Sequence, residues 1–194
     1  MRLFLDEFSS RKKCNIKSIN FRDKSTGWKS YSISIKYILR KKPVLFREAA
    51  ARNLYFRGFL QNLYLRPSCH ECKFKNASSF SDITIGDYWN IQSLTNEYDD
   101  NKGVSLVIVR SLKGSSLLKQ NLNELHLTQS TYQHALSGNP CLEKSSKAHP
   151  NRKRFFLKLE TLPISLLIID SIKSTHKDFM LFFIEICRFL FMRR

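Results

Sequence analysis

Two cysteines in a Cys-x-x-Cys spacing are the residues of this sequence best suited to chemistry. The segment PSCHECKF, residues 67–74, contains Cys69 and Cys72 with His70 between them. Two thiolates at this spacing can reach one metal ion from a single turn, as they do in zinc and iron–sulfur sites. The same spacing also occurs in dithiol redox motifs. The residue types alone therefore leave metal binding, redox chemistry and a chance pairing open.

A complete metal site would need ligands from elsewhere in the chain. The remaining cysteines, Cys14, Cys141 and Cys187, are scattered, and only the fold could bring Cys14 or Cys141 to the pair. His70 is badly placed as a metal ligand, because the neighbouring Cys69 and Cys72 already point to the metal site. A thioredoxin-like dithiol is disfavoured, since the strand and helix arrangement expected around it is missing. The odd number of cysteines fits reduced thiols better than a disulfide framework.

Two later segments carry groups that can bind a cofactor. In SDITIGDYWNI, residues 81–91, Gly86 allows close backbone approach and Asp87 offers an acceptor at the end of a predicted strand. Tyr88 and Trp89 have flat faces that can stack on a ring system or pack in a core. In DDNKGVS, residues 99–105, two carboxylates, a lysine and a glycine share one loop. Such a loop binds a polar ligand or forms a turn before a strand.

The composition favours anionic partners without choosing among them. The chain has 33 Lys and Arg against 16 Asp and Glu, a formal net charge of +17. Such a surplus attracts nucleic acid, anionic membranes and phosphates. No nucleic-acid recognition motif accompanies the basic residues, so we expect a solvated basic face and no nucleic acid partner. The N-terminal stretch MRLFLDEFSSRKKC lacks the features of a secretory signal, which predicts a cytoplasmic protein.

The elements that must position these residues follow from the apolar pattern. Strands and helices are interspersed, which predicts a mixed α/β (α+β) fold with a small sheet and flanking helices. Alternating runs at 16–21 and 31–37, separated by DKSTG, predict a β-hairpin. Further strands are predicted within 81–91, 104–111 and 125–131, and helices at 2–13, 48–65, from about 115 to 125, and 132–138.

The C-terminal part differs in composition from the rest. Residues 162–172 and 179–194 are dense in Leu, Ile and Phe, which predicts a domain at 1–157 followed by an apolar helical tail at 158–194. The second run is interrupted by Glu185 and Arg188 and is too short to span a bilayer as one helix. It is expected either to pack on this domain or a partner, or to lie at a membrane surface with Arg193 and Arg194 at its edge.

Four segments in order resemble one protein family. INFRDKSTGWKSYS, FRGFLQNLYLRPSCHECKF, SDITIGDYWNI and DDNKGVSLVIV are similar to the C-terminal part of the coenzyme F-420 hydrogenase/dehydrogenase beta-subunit family. The similarity runs from about residue 16 to about residue 156. The order and spacing of the four blocks make it more specific than any single block.

The resemblance implies an iron–sulfur flavoprotein that passes electrons between a flavin, an iron–sulfur cluster and a redox partner. Cys69 and Cys72 are then the candidate ligands of a 4Fe–4S cluster. The remaining thiolates would lie in upstream sequence that this chain does not contain, so we expect a truncated or split member. The expected cofactors are the cluster, FAD and a deazaflavin coenzyme. The expected partner is a redox protein or the complementary N-terminal half.

The resemblance also assigns residues around the flavin or the cluster. Asn90 stands where a glycine is expected in the family. The residues that match the family's strand-end motif are Asp82, Gly86, Asp87 and Trp89, and those that match its acidic-lysine loop are Asp99, Asp100, Lys102 and Gly103.

The sequence therefore predicts an iron–sulfur flavoprotein oxidoreductase domain that is incomplete as a catalyst by itself. One alternative is a non-catalytic interaction domain of the same fold, docked on a partner that supplies the redox half. Another is a zinc-stabilised basic domain that binds nucleic acid.

Overall fold

The computed structural model describes residues 1–75, 79–94 and 100–172. Within these ranges the chain forms helices and two small antiparallel sheets, which confirms the predicted mixed α/β class. It divides into two compact units, residues 1–66 with residues from 147 onward, and residues 67–146. The strands are β1 (Asn15–Asp23), β2 (Ser32–Leu39), β3 (Lys42–Ala49), β4 (Ile83–Asp87) and β5 (Ser105–Val109). The helices are α1 (Arg2–Lys12), α2 (Leu54–Leu60), α3 (Pro67–His70), α4 (Leu112–Gln120), α5 (Tyr132–Gly138), α6 (Arg152–Leu157) and α7 (Ile164–Ile172).

The first unit is built on a three-stranded sheet in the order β1-β2-β3. The predicted hairpin is present as β1 and β2, and β3 follows through a tight turn at Arg40 and Lys41, both with positive φ. Two consecutive residues with positive φ match the right-handed twist of the flanking strands. The register aligns Ile19, Ile35 and Phe46 across the sheet, so one face is apolar.

Helices cover this apolar face. Buried Ile33, Ile35 and Tyr37 pack with Phe8 of α1 and Phe56 of α2. A second core lies among the helices themselves, where the tightly packed side chains are Leu63, Phe155, Leu167, Ile168 and Ile172. The first unit therefore has a sheet–helix core and a helix–helix core, both made from the periodic apolar positions of the sequence.

The second unit contains every described residue that the sequence singles out for cofactor binding. Its sheet is the antiparallel pair β4 and β5, and α3, α4 and α5 belong to the same unit. Its core consists of Tyr88, Ile91, Leu106 and Ala135. The core is small for a unit of this length, and it lies at the C-terminal end of β4.

The helix predicted over 48–65 is shorter than expected. Glu48 and Ala49 belong to β3, because β2 offers a paired edge and Ala49 aligns with Ser32. The helix starts at Leu54, since the Asn53 side chain accepts a hydrogen bond from the backbone N–H of Phe56 at 3.3 Å. A tertiary strand partner and a local cap thus override the helical propensity of the alanines.

Two other boundaries also differ from the sequence pattern. Helix α4 begins at Leu112 rather than near Ser115, because Ser111 caps it through the N–H of Gly114 at 3.0 Å. The segment 125–131 forms no strand, although Leu125 and Thr131 have extended dihedral angles. A strand needs a hydrogen-bonded neighbour, and a cavity separates this segment from β5.

The predicted division at residue 157 falls between α6 and α7, inside the first unit, and stays a prediction. The apolar run at 179–194 lies outside the described residues. No helix in the described ranges has the length and apolar character needed to cross a membrane.

Candidate functional site

The Cys-x-x-Cys pair is held by a later segment of the same unit. Cys69 lies on α3 and Cys72 lies two residues after the end of this helix, and both are partly buried free thiols. The carbonyl of Cys69 accepts a hydrogen bond from the N–H of Ser146 at 3.2 Å. The N–H of Cys72 donates to the hydroxyl of Ser145 at 3.1 Å. Residues 145 and 146 therefore fix the backbone of both cysteines and leave the sulfur atoms for other partners.

His70 takes part in the same anchorage. Its Nδ1 lies 2.7 Å from the carbonyl oxygen of Ser146. A carbonyl only accepts, so Nδ1 carries the proton and Nε2 of the neutral ring is bare. Nε2 is buried and has no hydrogen-bond partner among the described residues. The histidine thus serves to hold α3 against Ser146.

The described residues do not form a complete metal site. No group of three or more His, Cys, Asp or Glu side chains within residues 1–75, 79–94 and 100–172 is arranged to hold a metal ion. A 4Fe–4S cluster takes four thiolates. Cys69 and Cys72 could fill two of these positions, and within the second unit Cys141 does not join them. A complete cluster needs ligands from outside the described part of the chain.

Asp82 has a structural position at the start of β4. Its carboxylate accepts a hydrogen bond from the Ser111 hydroxyl at 2.5 Å and lies 3.7 Å from the Lys113 ammonium. Its backbone carbonyl accepts from the N–H of Arg110 at 2.8 Å. A Cβ on Gly114 would come within 2.4 Å of the same carbonyl oxygen. Asp82 therefore joins β4 to the capped start of α4.

The other end of β4 is more open. Gly86 aligns with Leu106 of β5, and a Cβ built on it would meet nothing within 4 Å. Trp89 is 39% exposed, whereas Tyr88 is buried in the core. Asn90 has a φ of 65°, in the left-handed region where glycine is the usual residue and asparagine is tolerated. The positive φ of Asn90 thus explains why a glycine is expected at this position.

The described part of the acidic-lysine loop forms a turn around Asp100. The carboxylate of Asp100 accepts from the N–H of Lys102 at 2.8 Å and lies 3.4 Å from the Lys102 ammonium. The N–H of Lys102, followed by its side chain, lowers the pKa of Asp100. Asn101 and Gly103 have positive φ. Asp99 lies outside the described residues.

The strand ladder brings two of the predicted segments together. Asp87 aligns with Ser105, and the N–H of Tyr88 donates to the carbonyl of Val104 at 2.9 Å. The loop that ends at Gly103 therefore meets β4 where Gly86 and Asp87 lie. Asp82 is at the opposite end of the same strand.

A hydrogen-bonded group that the sequence reading missed lies beside this core. His134 of α5 has Nδ1 at 2.8 Å from the Tyr88 hydroxyl and Nε2 at 2.7 Å from the Ser93 hydroxyl. The Tyr88 hydroxyl is also hydrogen bonded to Ser130. Only Tyr88 belongs to a segment that the sequence singles out, because contacts over 41 to 46 residues of chain leave no local pattern.

This group borders a mostly apolar cavity in the second unit. The cavity has a volume of about 610 Å³ and lies between β5 and residues 126–132. Tyr88 and Ser130 line it, together with the apolar side chains Ile91, Leu106, Leu118 and Leu127. Apart from Tyr88, none of the described residues that the sequence singles out for cofactor binding lines this cavity.

Comparison with known proteins identifies one family. Residues 2–134 match the family described as the C terminus of the beta subunit of coenzyme F420 hydrogenase/dehydrogenase. Neither a curated protein nor a solved structure matches the chain. The matched range includes the hairpin, the Cys-x-x-Cys segment, β4, β5 and His134.

Proposed function

Because the chain belongs to the family of C-terminal domains of the coenzyme F420 hydrogenase/dehydrogenase beta subunit, we propose that it is one part of an iron–sulfur flavoprotein oxidoreductase. In this proposal it acts with a complementary half or a redox partner protein. Electrons pass between FAD, a 4Fe–4S cluster and the redox partner. A deazaflavin coenzyme serves as one of the electron carriers. When bound, the cluster supplies one-electron transfer and the flavin converts between one- and two-electron steps.

The observation that carries the proposal is the arrangement of Cys69 and Cys72. Both thiols are free, and two hydrogen bonds fix the turn that presents them: the Cys72 N–H donates to the Ser145 hydroxyl, and the Cys69 carbonyl accepts from the Ser146 N–H. Two thiolates on a fixed turn match half of a cluster site, and the family membership accounts for the missing half.

Iron binding by defined cysteine variants tests this proposal. The full chain is produced anaerobically with an upstream half that carries ferredoxin-like cysteines, and the iron and sulfide content of the complex is measured. Cys69→Ser and Cys72→Ser should each remove one cluster, because a cluster with three thiolates is lost or degraded. Cys141→Ser is the matched control, since Cys141 is exposed and should leave the iron content unchanged. Equal iron content in all three variants would refute the assignment.

The proposed flavin contacts are at the C-terminal end of β4. Gly86 leaves open space above the strand, and Asp87 and Trp89 follow it in the chain. Lys102 and Gly103 approach the same end through the β4–β5 ladder. In the proposal these groups lie near the flavin, and Asp82 supports them from the far end of the strand.

A second function, docking without catalysis, is favoured by the exposed apolar residues of the second unit. Phe80 is 97% exposed, Leu112 88% and Ile85 71%. Soluble proteins rarely leave large apolar patches uncovered unless a partner binds there. Ile85→Lys should weaken binding of the complementary half in a pull-down assay while iron incorporation per bound complex stays constant. Unchanged binding would argue against docking through this face.

A further inference from the structure

The hydrogen bonds around His134 define a directional chain. The Ser93 hydroxyl donates to the carbonyl of Asn90 at 2.9 Å, and a carbonyl has no proton to return. His134 Nε2 must then donate to Ser93, so its Nδ1 is bare and accepts from the Tyr88 hydroxyl. The Tyr88 oxygen accepts in turn from Ser130. The hydrogen bonds therefore run in one direction, from the Ser130 hydroxyl to Tyr88, from Tyr88 to His134 and from His134 to Ser93.

The two ends of the chain reach different environments. Ser93 is exposed to solvent on the short turn Ile91–Ser93. Ser130 lines the 610 Å³ cavity, and Tyr88, which is only 5% exposed, forms part of the cavity wall. The four side chains therefore connect an apolar cavity to solvent through an imidazole and three hydroxyl groups.

The cavity has the size and lining of a small-molecule site. Binding pockets usually have volumes of about 300–1,000 Å³, mostly apolar walls and a few placed polar groups. Here the apolar walls come from β5, Leu118 and Leu127, and the polar groups are the hydroxyls of Ser130 and Tyr88. A planar ring that carries one ionisable oxygen matches this lining, because the ring can contact the apolar walls and the oxygen can hydrogen bond to the hydroxyls.

We propose that this cavity binds a small planar ring with an oxygen that gains or loses a proton, of the quinone and phenol class. In this proposal Ser130, Tyr88, His134 and Ser93 carry that proton between the ring and solvent. A redox role for the ring rests on the proposed function, whereas its binding and the proton path do not.

The proton transfer balances without a further reactant. The ring O–H gives its proton to Ser130, Ser130 passes its own proton to Tyr88, and Tyr88 passes its proton to Nδ1 of His134. Nε2 then gives its proton to Ser93, whose hydroxyl turns from the Asn90 carbonyl to solvent and gives its own proton to water. The ring has lost one proton and water has gained one. Each protein group keeps its proton count and the chain now points the opposite way, ready to donate to a ring carbonyl.

Fluorescence of bound 2-naphthol tests the binding and the proton path together. This planar phenol releases its proton in the excited state and then emits as naphtholate. With the wild-type chain, the bound probe should emit largely from naphtholate, since Ser130 offers an acceptor inside an apolar cavity. Tyr88→Phe interrupts the chain and should lower the naphtholate share about tenfold or more, as removing a positioned acid–base group slows proton transfer about 10²–10⁴-fold.

Tyr132→Phe is the matched control, because Tyr132 also lines the cavity and lies outside the hydrogen-bonded chain. It should bind the probe and keep the wild-type emission. If Tyr88→Phe does not fold, judged by circular dichroism, Ser130→Ala takes its place with the same expected loss. Equal emission from Tyr88→Phe, or from Ser130→Ala in its place, and the wild type would overturn the proposal. Absence of naphtholate emission, or failure of the wild type to bind naphthol, would also overturn it. The probe needs neither cluster nor flavin, so this outcome is independent of the iron measurement.

Discussion

Close backbone contacts decide which residues of the second unit must be glycine. A Cβ on Gly138 would lie 2.0 Å from the carbonyl oxygen of Trp89, and one on Gly114 would lie 2.4 Å from that of Asp82. Both contacts hold the strand-end motif in place from neighbouring helices. Gly86, which belongs to the motif itself, has no such neighbour. The open space at Gly86 is therefore available for a ligand, whereas Gly114 and Gly138 are required for close packing.

Gly138→Ala and Gly86→Ala should separate these two roles. The first forces a side-chain carbon into the backbone of Trp89 and should lower the free energy of unfolding by about 1–3 kcal/mol, the usual cost of overpacking. The second should change the stability by less than about 0.5 kcal/mol. Urea unfolding followed by circular dichroism gives both values. Equal stability losses would show that Gly86 is also required by packing.

Asp23 fixes the loop between β1 and β2. The Ser25 side chain, the Ser25 N–H at 3.0 Å, Ser34 and Arg47 all bond to its carboxylate and hold its pKa well below the ordinary value. Because the pKa in the folded state is lowered, the contribution of Asp23 is present above the pKa of the unfolded chain and is lost as the pH falls. The carboxylate is thus a source of acid sensitivity.

Asp23→Asn should flatten the acid side of the stability profile. An unfolded aspartate titrates near pH 3.9, so the wild type should lose stability progressively as the pH is lowered from about 5. The variant should be less stable at pH 7 and approach the wild type in acid. Thermal unfolding between pH 7 and pH 3 measures the difference. A constant difference between the two proteins across this range would contradict the role given to Asp23.

At the scale of elements, a polar latch joins the first and last described helices. Glu7 of α1 accepts from the N–H of Ser165 at 3.1 Å and from its hydroxyl at 2.5 Å. Arg11 pairs with Glu7 and donates to the Ser165 hydroxyl at 2.9 Å. The Glu7 carboxylate lies at the first turn of α7, where it accepts from an N–H that lacks an intrahelical acceptor. Its negative charge also interacts favourably with the positive end of the helix dipole. The latch therefore fixes α7, which is buried along nearly its whole length.

Glu7→Ala should destabilise the protein by about 1–3 kcal/mol, because it removes the carboxylate that accepts from the N–H and the hydroxyl of Ser165. Asp6→Ala is the matched control on the same helix. Asp6 is exposed and pairs with exposed Arg2 at 3.9 Å, so its removal should cost less than about 0.5 kcal/mol. Chemical denaturation of the two variants compares them directly. Similar losses would mean that the latch adds nothing beyond surface charge.

For the whole molecule, the two units differ in how firmly they are built. In the first unit β2 is paired on both sides, and the unit has two apolar cores. In the second, β4 and β5 form a two-stranded sheet over a core of Tyr88, Ile91, Leu106 and Ala135. A two-stranded sheet with a small core is marginally stable without further packing. The proposed cofactor and partner sites therefore lie in the less firmly packed unit.

Hydrogen exchange should show this difference in amide protection. Amides of β2 should exchange by opening of the whole first unit, and those of β5 should exchange faster through local opening. Addition of the complementary half should slow exchange in the second unit, since binding stabilises the folded form. Mass spectrometry of peptides that contain residues 32–39 and 105–109 measures both. Faster exchange in β2 than in β5 would show that the second unit is not the less stable one.

Sequence by itself determined the features that depend on neighbouring residues. The hairpin at β1 and β2, the helices α1 and α5, and the strands β4 and β5 follow from apolar periodicity and turn residues. The order of four sequence blocks was enough to identify the family, which the match over residues 2–134 confirms. These signals are local, so each is complete within one stretch of chain.

Tertiary structure alone decided the features that depend on distant partners. Glu48 and Ala49 belong to β3 because β2 supplies a hydrogen-bonding edge, whereas residues 125–131 form no strand. The anchorage of Cys69 by Ser146 and the contact between His134 and Tyr88 join residues 46 to 77 positions apart. Hydrogen bonds over such distances require the folded chain to bring their partners together, and no spacing along the sequence encodes them.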